Sequence, residues 1–379
     1  MSGSSAPTQP QGGAAPATSS GTDVSSEPPT AVVGGAGGAA EANDGGESGE
    51  GGIRNDGGVR NDGGVGGDGT AGEASDCTES LAPISQAPDT LEETGLYSAR
   101  GIRSYEPAYP LWADGFGKDR YIYLPPCSTI DTSDMDHWQL PVGTRLWKHF
   151  EVDGKRVETR LLHRYGPETD DWLMATYGWD AAHPDDPAAA KIVLHGEPNA
   201  QGTLHDIPDP SACPSCHGKL PERVLGFGAI QLSHAGSGLT LATLNREGWL
   251  SVPAPAGIQV PGTAVEQAAL GYLHANCGGC HNQQGQIPRE NPMLLRLSVS
   301  EHVVADTNVF RTTLGVPTIN AYPELHGKPR VDPGSPETST IFLRMSDRNK
   351  FPMPPLATKF ADTEGGVAAV QAWIQSLPH

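Results

Sequence analysis

The pattern Cys-x-x-Cys-His occurs twice in this chain, and it constrains the fold more than any other feature. The first copy spans residues 213–217 and the second spans residues 277–281. In each copy two thiols lie three positions apart and a histidine follows directly, so one helical turn can present all three side chains to one ligand. The chain therefore has to build two such turns and leave space beside each of them.

This pattern is typical of covalent haem attachment, in which two thiols add to the vinyl groups of one haem and the histidine coordinates its iron. We predict two c-type haems, attached through Cys213 and Cys216 and through Cys277 and Cys280, with His217 and His281 as axial iron ligands. A structural zinc site and a thioredoxin-like redox pair are the alternatives. Neither requires a histidine after both second cysteines, so the pattern favours haem.

The first fifth of the chain has a composition that does not support a packed core. Residues 1–75 consist largely of Gly, Ala, Ser, Thr, Pro and acidic residues, and residues 51–56 are nearly repeated at 57–62. Such a segment cannot bury enough apolar surface to offset its chain entropy. We predict a disordered tether over residues 1–75.

The formal net charge of −20 bears on the possible partners. It argues against binding to nucleic acid or to an anionic membrane surface. No stretch is long and apolar enough for a transmembrane helix. We expect redox proteins as partners.

The haem motifs also predict the compartment. Haem is attached to such motifs outside the bacterial cytoplasm, so we expect a secreted protein in the periplasm, at the cell surface or outside the cell. An export signal, or a lipoprotein signal that provides a lipid anchor, would then precede residue 1. An oxidising compartment allows Cys77 and Cys127, the two cysteines outside the motifs, to form a disulfide. Two unrelated thiols are the alternative.

The segment after the tether shows strand patterns, and we predict a mainly antiparallel β domain over residues 76–200. Residues 120–124 and 172–179 are expected to be strands, and residues 145–152 alternate apolar with polar side chains. Asp153-Gly154 predicts a hairpin turn into a returning strand over residues 155–165. We expect Trp112, Trp138 and Trp147 to lie in the sheet core. An aromatic binding platform is the alternative.

After residue 200 the sequence pattern changes from strand-like to irregular and then to helical. Residues 201–262 are irregular and contain the first haem motif, whereas residues 263–379 are helical at both ends. Spacing predicts a helix that runs directly into Cys277, with one apolar face that includes Val265, Ala269 and Leu273. A final helix is predicted after an N-cap at Thr363, with a stripe made of Val367, Val370, Ile374 and Leu377.

These features make residues 263–379 resemble an all-α class I cytochrome c domain. That family has a helix before the motif, a methionine in a proline-containing loop and a C-terminal helix that crosses the first. Ala269 and Leu273 occupy the two positions where the family places a small and an apolar residue at this crossing. The resemblance implies His281 and Met353 as the two axial iron ligands, and the prolines on both sides of Met353 independently favour a stiff ligand loop. Met345, expected in the core, and Met293 are the alternatives to Met353.

The upstream part is similar to a group of uncharacterised bacterial secreted proteins that join a β domain to haem motifs. The similarity covers most of residues 100–285 and rests on residues 109–114, 140–144, 158–162, 225–227 and 231–232. It implies an architecture and no particular activity.

The first motif has no methionine loop before the second one, so the distal ligand of its haem stays open. The candidates are His205, His234, His274 and Met293. We expect a dihaem electron-transfer protein in which the second haem, with His/Met ligation, has the higher potential. The alternative is a dihaem peroxidase or oxidase with the first haem as the catalytic site. Electron transfer is favoured over substrate turnover, because no group of acids and bases for a distal pocket is recognisable.

Overall fold

The computed structural model of the protein describes residues 77, 80–285, 287, 289–319, 322–356 and 358–379. The tether predicted for residues 1–75 lies outside the described residues. The part of the chain that is described belongs to one compact unit. None of its helices is long and apolar enough to cross a membrane.

The first half of the described chain forms a six-stranded antiparallel sheet, as predicted. Its strands lie in sequence order: β1 (Arg103–Ser104), β2 (Gly117–Tyr123), β3 (Arg145–Val152), β4 (Lys155–Arg164), β5 (Trp172–Gly178) and β6 (Lys191–Ile192). The hairpin turn between β3 and β4 has φ values of 50° at Asp153 and 75° at Gly154. Positive φ at both central residues is what a type I′ turn requires.

Both faces of the sheet are covered, although the alternation in residues 145–152 predicts one polar face. Every residue of β3 except Glu151 is buried. Trp147 points to one face and packs with Leu161 and Leu91. Leu146, on the opposite face, joins a core cluster that includes residues of the C-terminal helices. Polar side chains on this second face are therefore enclosed by the rest of the fold.

Short helices form most of the regular structure after the sheet. They are α1 (Cys213–His217), α2 (Ala229–Leu232), α3 (Leu241–Arg246), α4 (Ala264–Asn276), α5 (Asn308–Thr313), α6 (Thr340–Ser346) and α7 (Gly366–Ser376). Five 3-10 turns accompany them in the described part of the chain, at Glu92–Thr94, Ala200–Gly202, Pro210–Ala212, Val304–Asp306 and Pro336–Thr338.

Helix α4 confirms the helix predicted before Cys277. Thr263 and Glu266 form a capping box at its start, which satisfies backbone N–H groups that have no partner within the helix. The predicted apolar face is only partly correct, because Val265 is exposed whereas Leu270 and His274 are buried. Nearly the whole second half of α4 is enclosed, so no single stripe describes its buried surface.

Helix α7 packs against α4. The four residues of its predicted stripe are all buried. Its start differs from the prediction: the carboxylate of Asp362, rather than Thr363, accepts hydrogen bonds from the N–H groups of Gly365 and Gly366. A Cβ atom at Gly366 would overlap the Tyr272 ring of α4, so glycine permits this close approach.

One core cluster crosses both predicted domain boundaries. It contains Leu162 from the sheet, Leu239 from the irregular segment and Val370 from the last helix. The boundaries at residues 200 and 262 stay predictions. Cys77 and Cys127 form the predicted disulfide, with their Cα atoms 5.6 Å apart, a distance typical of this bond.

Trp138 and Trp147 are buried as expected, at 3% and 0% exposure. Trp112 is only half-buried and lines the cavity described below.

Candidate cofactor site

The two motifs lie side by side. The first forms α1. The second begins where α4 ends and continues its turn, with the His281 N–H donating to the Cys277 carbonyl at 2.8 Å. The Cys216 and Cys280 thiols are hydrogen-bonded to each other, and the Cys280 thiol donates to the Ser215 carbonyl oxygen at 3.6 Å. The tertiary fold thus brings the second cysteines of both motifs into contact.

Because of this contact and of burial, the motif thiols differ in pKa. The hydrogen bond between the two thiols lowers the pKa of Cys280 to about 7 and raises the pKa of Cys216. Burial raises the pKa of Cys277 to about 12 and also raises that of Cys213.

Both motif histidines are held in the form that binds a metal. Nδ1 of His217 lies 2.7 Å from the Arg223 carbonyl oxygen, and Nδ1 of His281 lies 3.1 Å from the Met293 carbonyl oxygen. A carbonyl only accepts, so Nδ1 carries the proton in each ring and Nε2 keeps its lone pair. A backbone carbonyl is a common partner of metal-ligating histidines, because it fixes the tautomer and the ring orientation.

Burial also favours the neutral form of both imidazoles. It lowers the pKa of His217 to about 3, with a further contribution from Lys148. It lowers the pKa of His281 as well, and the charges of Arg344 and Arg330 add to the effect. Metal binding requires the neutral imidazole, so these residues fit the haem iron that the sequence predicts.

The zinc alternative needs four ligands that converge on one point. Among the described residues, no group of three or more His, Cys, Asp or Glu side chains is arranged to hold a metal ion. Each motif instead offers two thiols and one histidine nitrogen, which is the set that a haem uses.

A cavity of about 380 Å³ lies beside the first motif. Its volume is within the range of small-molecule and cofactor pockets. Cys216 and His217 line it, and Cys280 of the second motif reaches it as well. Phe150, Leu162 and Leu225 add apolar surface, and the basic side chains in its wall are Lys118, Lys148, Arg160 and Lys359.

Met353 contacts helix α6 through its backbone. Its backbone N–H donates to the Arg344 carbonyl at 3.1 Å, and the charge of Arg344 lowers the pKa of His281. Met345 is buried in the core at 6% exposure, as expected. Met293 contributes its carbonyl to His281. Met353 as the distal ligand stays a prediction.

Hydrogen bonds distinguish the histidines predicted as distal ligands of the first haem. Both ring nitrogens of His234 are engaged, with the Glu106 carbonyl and the Gly236 N–H. Nδ1 of His274 accepts a hydrogen bond from the Leu297 N–H at 3.1 Å, so its Nε2 carries the proton.

His205 is placed differently, because it lines the same cavity as His217. Its Nε2 lies 2.7 Å from Oε2 of Glu158. Of the four alternatives, all of which the structure describes, only His205 shares this cavity with the first motif. The distal ligand of the first haem stays open.

Sequence reasoning missed the basic side chains of the sheet. Burial and the nearby charges of Arg120 and Arg160 together lower the pKa of Lys148 to about 7. Burial also lowers the pKa of Lys118. Residues two apart on a strand share a face, so the sequence could have placed these side chains together. No local pattern showed that the face would be covered.

Glu158 lies among these cations and is fully buried. Its Oε1 is 2.5 Å from Nε of Arg160, and its Oε2 is 2.9 Å from Nη2 of the same guanidinium. Burial lowers the pKa of Arg160, but the attraction of Glu158 raises it by more. This bidentate pair is the type of geometry that makes a charged contact strong.

Comparison with protein-family models, curated proteins and solved structures found no match for this chain.

Proposed function

We propose that this protein is an extracytoplasmic dihaem c-type cytochrome that transfers electrons to and from redox partner proteins. The contact between the two motifs carries the proposal: the Cys280 thiol of the second motif donates to the Ser215 carbonyl of the first at 3.6 Å and lies against Cys216. Each of these cysteines would bear one thioether bond, so the two attachment sites are immediate neighbours. When bound, each haem supplies a one-electron iron couple.

The residues of each motif have separate tasks in this proposal. His217 and His281 would hold the iron through Nε2, because carbonyl partners occupy Nδ1 in both rings. Burial lowers the pKa of both rings, which favours the neutral form that binds iron.

The C-terminal part supports a finer assignment, an all-α cytochrome c-like domain over residues 263–379. Helix α4 leads into the second motif and packs against α7. Ala269 and Leu273, the two positions expected at the helix crossing, are both fully buried. Within this proposal Met353 is the distal ligand, and the second haem has the higher potential.

The test uses the full chain, exported from a bacterial host that attaches c-type haem. Mass measurement and haem staining should reveal two covalent haems. The double variants Cys213→Ala/Cys216→Ala and Cys277→Ala/Cys280→Ala should each lose one haem mass and keep the other. A redox titration of the wild type should show two one-electron components.

Three results would contradict the proposal in different ways. A protein without covalent haem would remove it altogether. Rapid peroxide turnover that depends on the first motif would favour the peroxidase alternative. Two components of equal potential would remove the assignment of a higher potential to the second haem.

A further inference from the structure

Four basic side chains project from one face of the sheet, and we call them the cationic face: Lys118, Arg120, Lys148 and Arg160. The strand register places Arg120 opposite Lys148, and Lys148 opposite Arg160. Like charges directly opposite each other destabilise a sheet. Arg120 is only 5% exposed and Lys148 only 7%, so water does little to screen their repulsion.

The cationic face lacks enough negative charge to balance it. Its one carboxylate partner among the described residues, Glu158, is engaged by Arg160 and also by His205. Across the same part of the chain, neither Lys118 nor Lys148 forms an ion pair; their Nζ atoms donate to the Leu111 and Leu225 carbonyls at 3.3 and 3.2 Å.

Arg120 is likewise without an ion pair in the part of the chain that the structure describes. Its Nη1 donates to the Lys118 carbonyl at 3.2 Å, and Glu106 and Asp119 attract it only through space. Loss of a proton would make Lys118 or Lys148 neutral, but an arginine keeps its proton in proteins. Arg120 would therefore still carry a positive charge that no described carboxylate pairs with. Burying a cation without a counter-charge is costly. The cationic face therefore requires an anionic ligand.

The position of the cationic face indicates which ligand this is. Lys118, Lys148 and Arg160 line the cavity that also contains Cys216 and His217. The fourth basic side chain of the cavity, Lys359, already pairs with Asp206 at 2.7 Å. The other carboxylate in the cavity wall, Asp114, accepts hydrogen bonds from the backbone N–H groups of Lys359 and Phe360. The cavity thus combines apolar surface, the attachment residues of the first motif and more basic than acidic side chains.

We propose that the cationic face binds the carboxylate groups of the haem attached at the first motif. This inference rests on the proposed function and gives the β sheet a part in it. The sheet would supply the positive charge that balances the haem carboxylates and raises the reduction potential of that haem. A free oxyanion such as phosphate could provide the same chemistry, so the experiment separates the two sources.

The first measurement is the midpoint potential of each haem in holo-protein carrying Lys148→Met. This variant removes one buried positive charge and keeps a long apolar side chain. Lys155→Met is the matched control, because Lys155 lies on the same sheet but is exposed. The two double cysteine variants assign each potential to its motif.

We expect Lys148→Met to keep both haems and to lower the potential of the first. Ferric iron carries one more positive charge than ferrous iron, so a nearby cation favours the reduced state. The expected change is about tenfold in the ratio of reduced to oxidised haem, equivalent to about 59 mV for one electron. Lys155→Met should leave both potentials unchanged. Lys118→Met provides the same test if Lys148→Met does not fold.

The second measurement titrates phosphate into the wild-type holo-protein at constant ionic strength. If haem carboxylates occupy the cationic face, phosphate should not change the potential of the first haem. A saturable phosphate effect that Lys148→Met abolishes would show that a free anion occupies the face and would overturn the inference. A first-haem potential that is the same in Lys148→Met and wild type would also overturn it, whereas a haem-free protein would overturn the proposed function instead.

Discussion

Replacement of Glu158 by glutamine tests how the buried charges of the sheet are held. The carboxylate is 0% exposed and contacts Arg160 and His205, with its Oε2 at 2.7 Å from Nε2 of His205. Glu158→Gln keeps the shape of the side chain, removes its charge and turns an amide N–H₂ towards a cation. Removing one partner of a buried ion pair costs about 3–5 kcal/mol. We expect the free energy of unfolding to fall by about that amount.

Glu247→Gln is the matched control. Glu247 pairs with Arg103 at 3.0 Å, but their side chains are 29% and 37% exposed. Surface pairs contribute about 0.2–1 kcal/mol, so this variant should lose much less stability. Denaturant unfolding of both variants and the wild type under the same conditions measures the difference. A loss in Glu158→Gln no larger than that in Glu247→Gln would refute this account of the charge cluster.

The stability lost in Glu158→Gln should also depend on pH. Burial raises the pKa of Glu158, but Arg160 and His205 lower it by more, so the folded value lies below the ordinary 4.5. A carboxylate with a depressed pKa stabilises the fold fully above its unfolded pKa, and this contribution is lost as pH falls through the folded value. The stability difference between wild type and Glu158→Gln should therefore be largest near neutral pH and should shrink in acid.

Three further predictions concern other parts of the molecule. Met353→Leu should abolish the methionine–iron charge-transfer band in the absorption spectrum of the oxidised second haem. The control Met345→Leu should keep this band. A band that persists in Met353→Leu would point to another ligand. Cys127→Ala opens a disulfide with a sequence separation of 50, so thermal or denaturant unfolding should show a loss of up to about 4 kcal/mol; an unchanged midpoint would contradict this. Burial lowers the pKa of His163 from 6.5 to about 4, and its Nε2 accepts the Ile84 N–H. Because the unfolded state then binds the proton more readily, stability should be complete above pH 6.5 and should fall by up to about 3 kcal/mol between pH 6.5 and 4; denaturant midpoints that stay constant over that range would contradict it.

Short-range patterns predicted much of the secondary structure. The strand at β3, the turn at Asp153-Gly154 and the helix before Cys277 all depend on residues within a few positions of one another. The backbone conformation of these elements is determined by residues a few positions apart, so the sequence was sufficient to predict them. The cap of α7 was assigned to Thr363 instead of Asp362, because both residues are suitable caps and the exact start of a helix depends on its surroundings.

The buried face of α4 was harder to predict. The periodic pattern included Val265, which is exposed, and left out Leu270, which is buried. Periodicity identifies one buried stripe. The second half of α4 is enclosed on several sides, and the sequence does not show which distant segments surround it.

By itself, the sequence determined the chemistry that each motif offers, because two thiols and a histidine are set by spacing within one turn. Only the tertiary structure decided that Cys216 meets Cys280, and that carbonyls of Arg223 and Met293 fix the two motif histidines. It also decided that Lys148 is buried. The alternation along a strand shows which side chains share a face, but coverage of that face comes from segments far away in the chain. Such contacts depend on how the whole chain packs, and no local pattern contains that information.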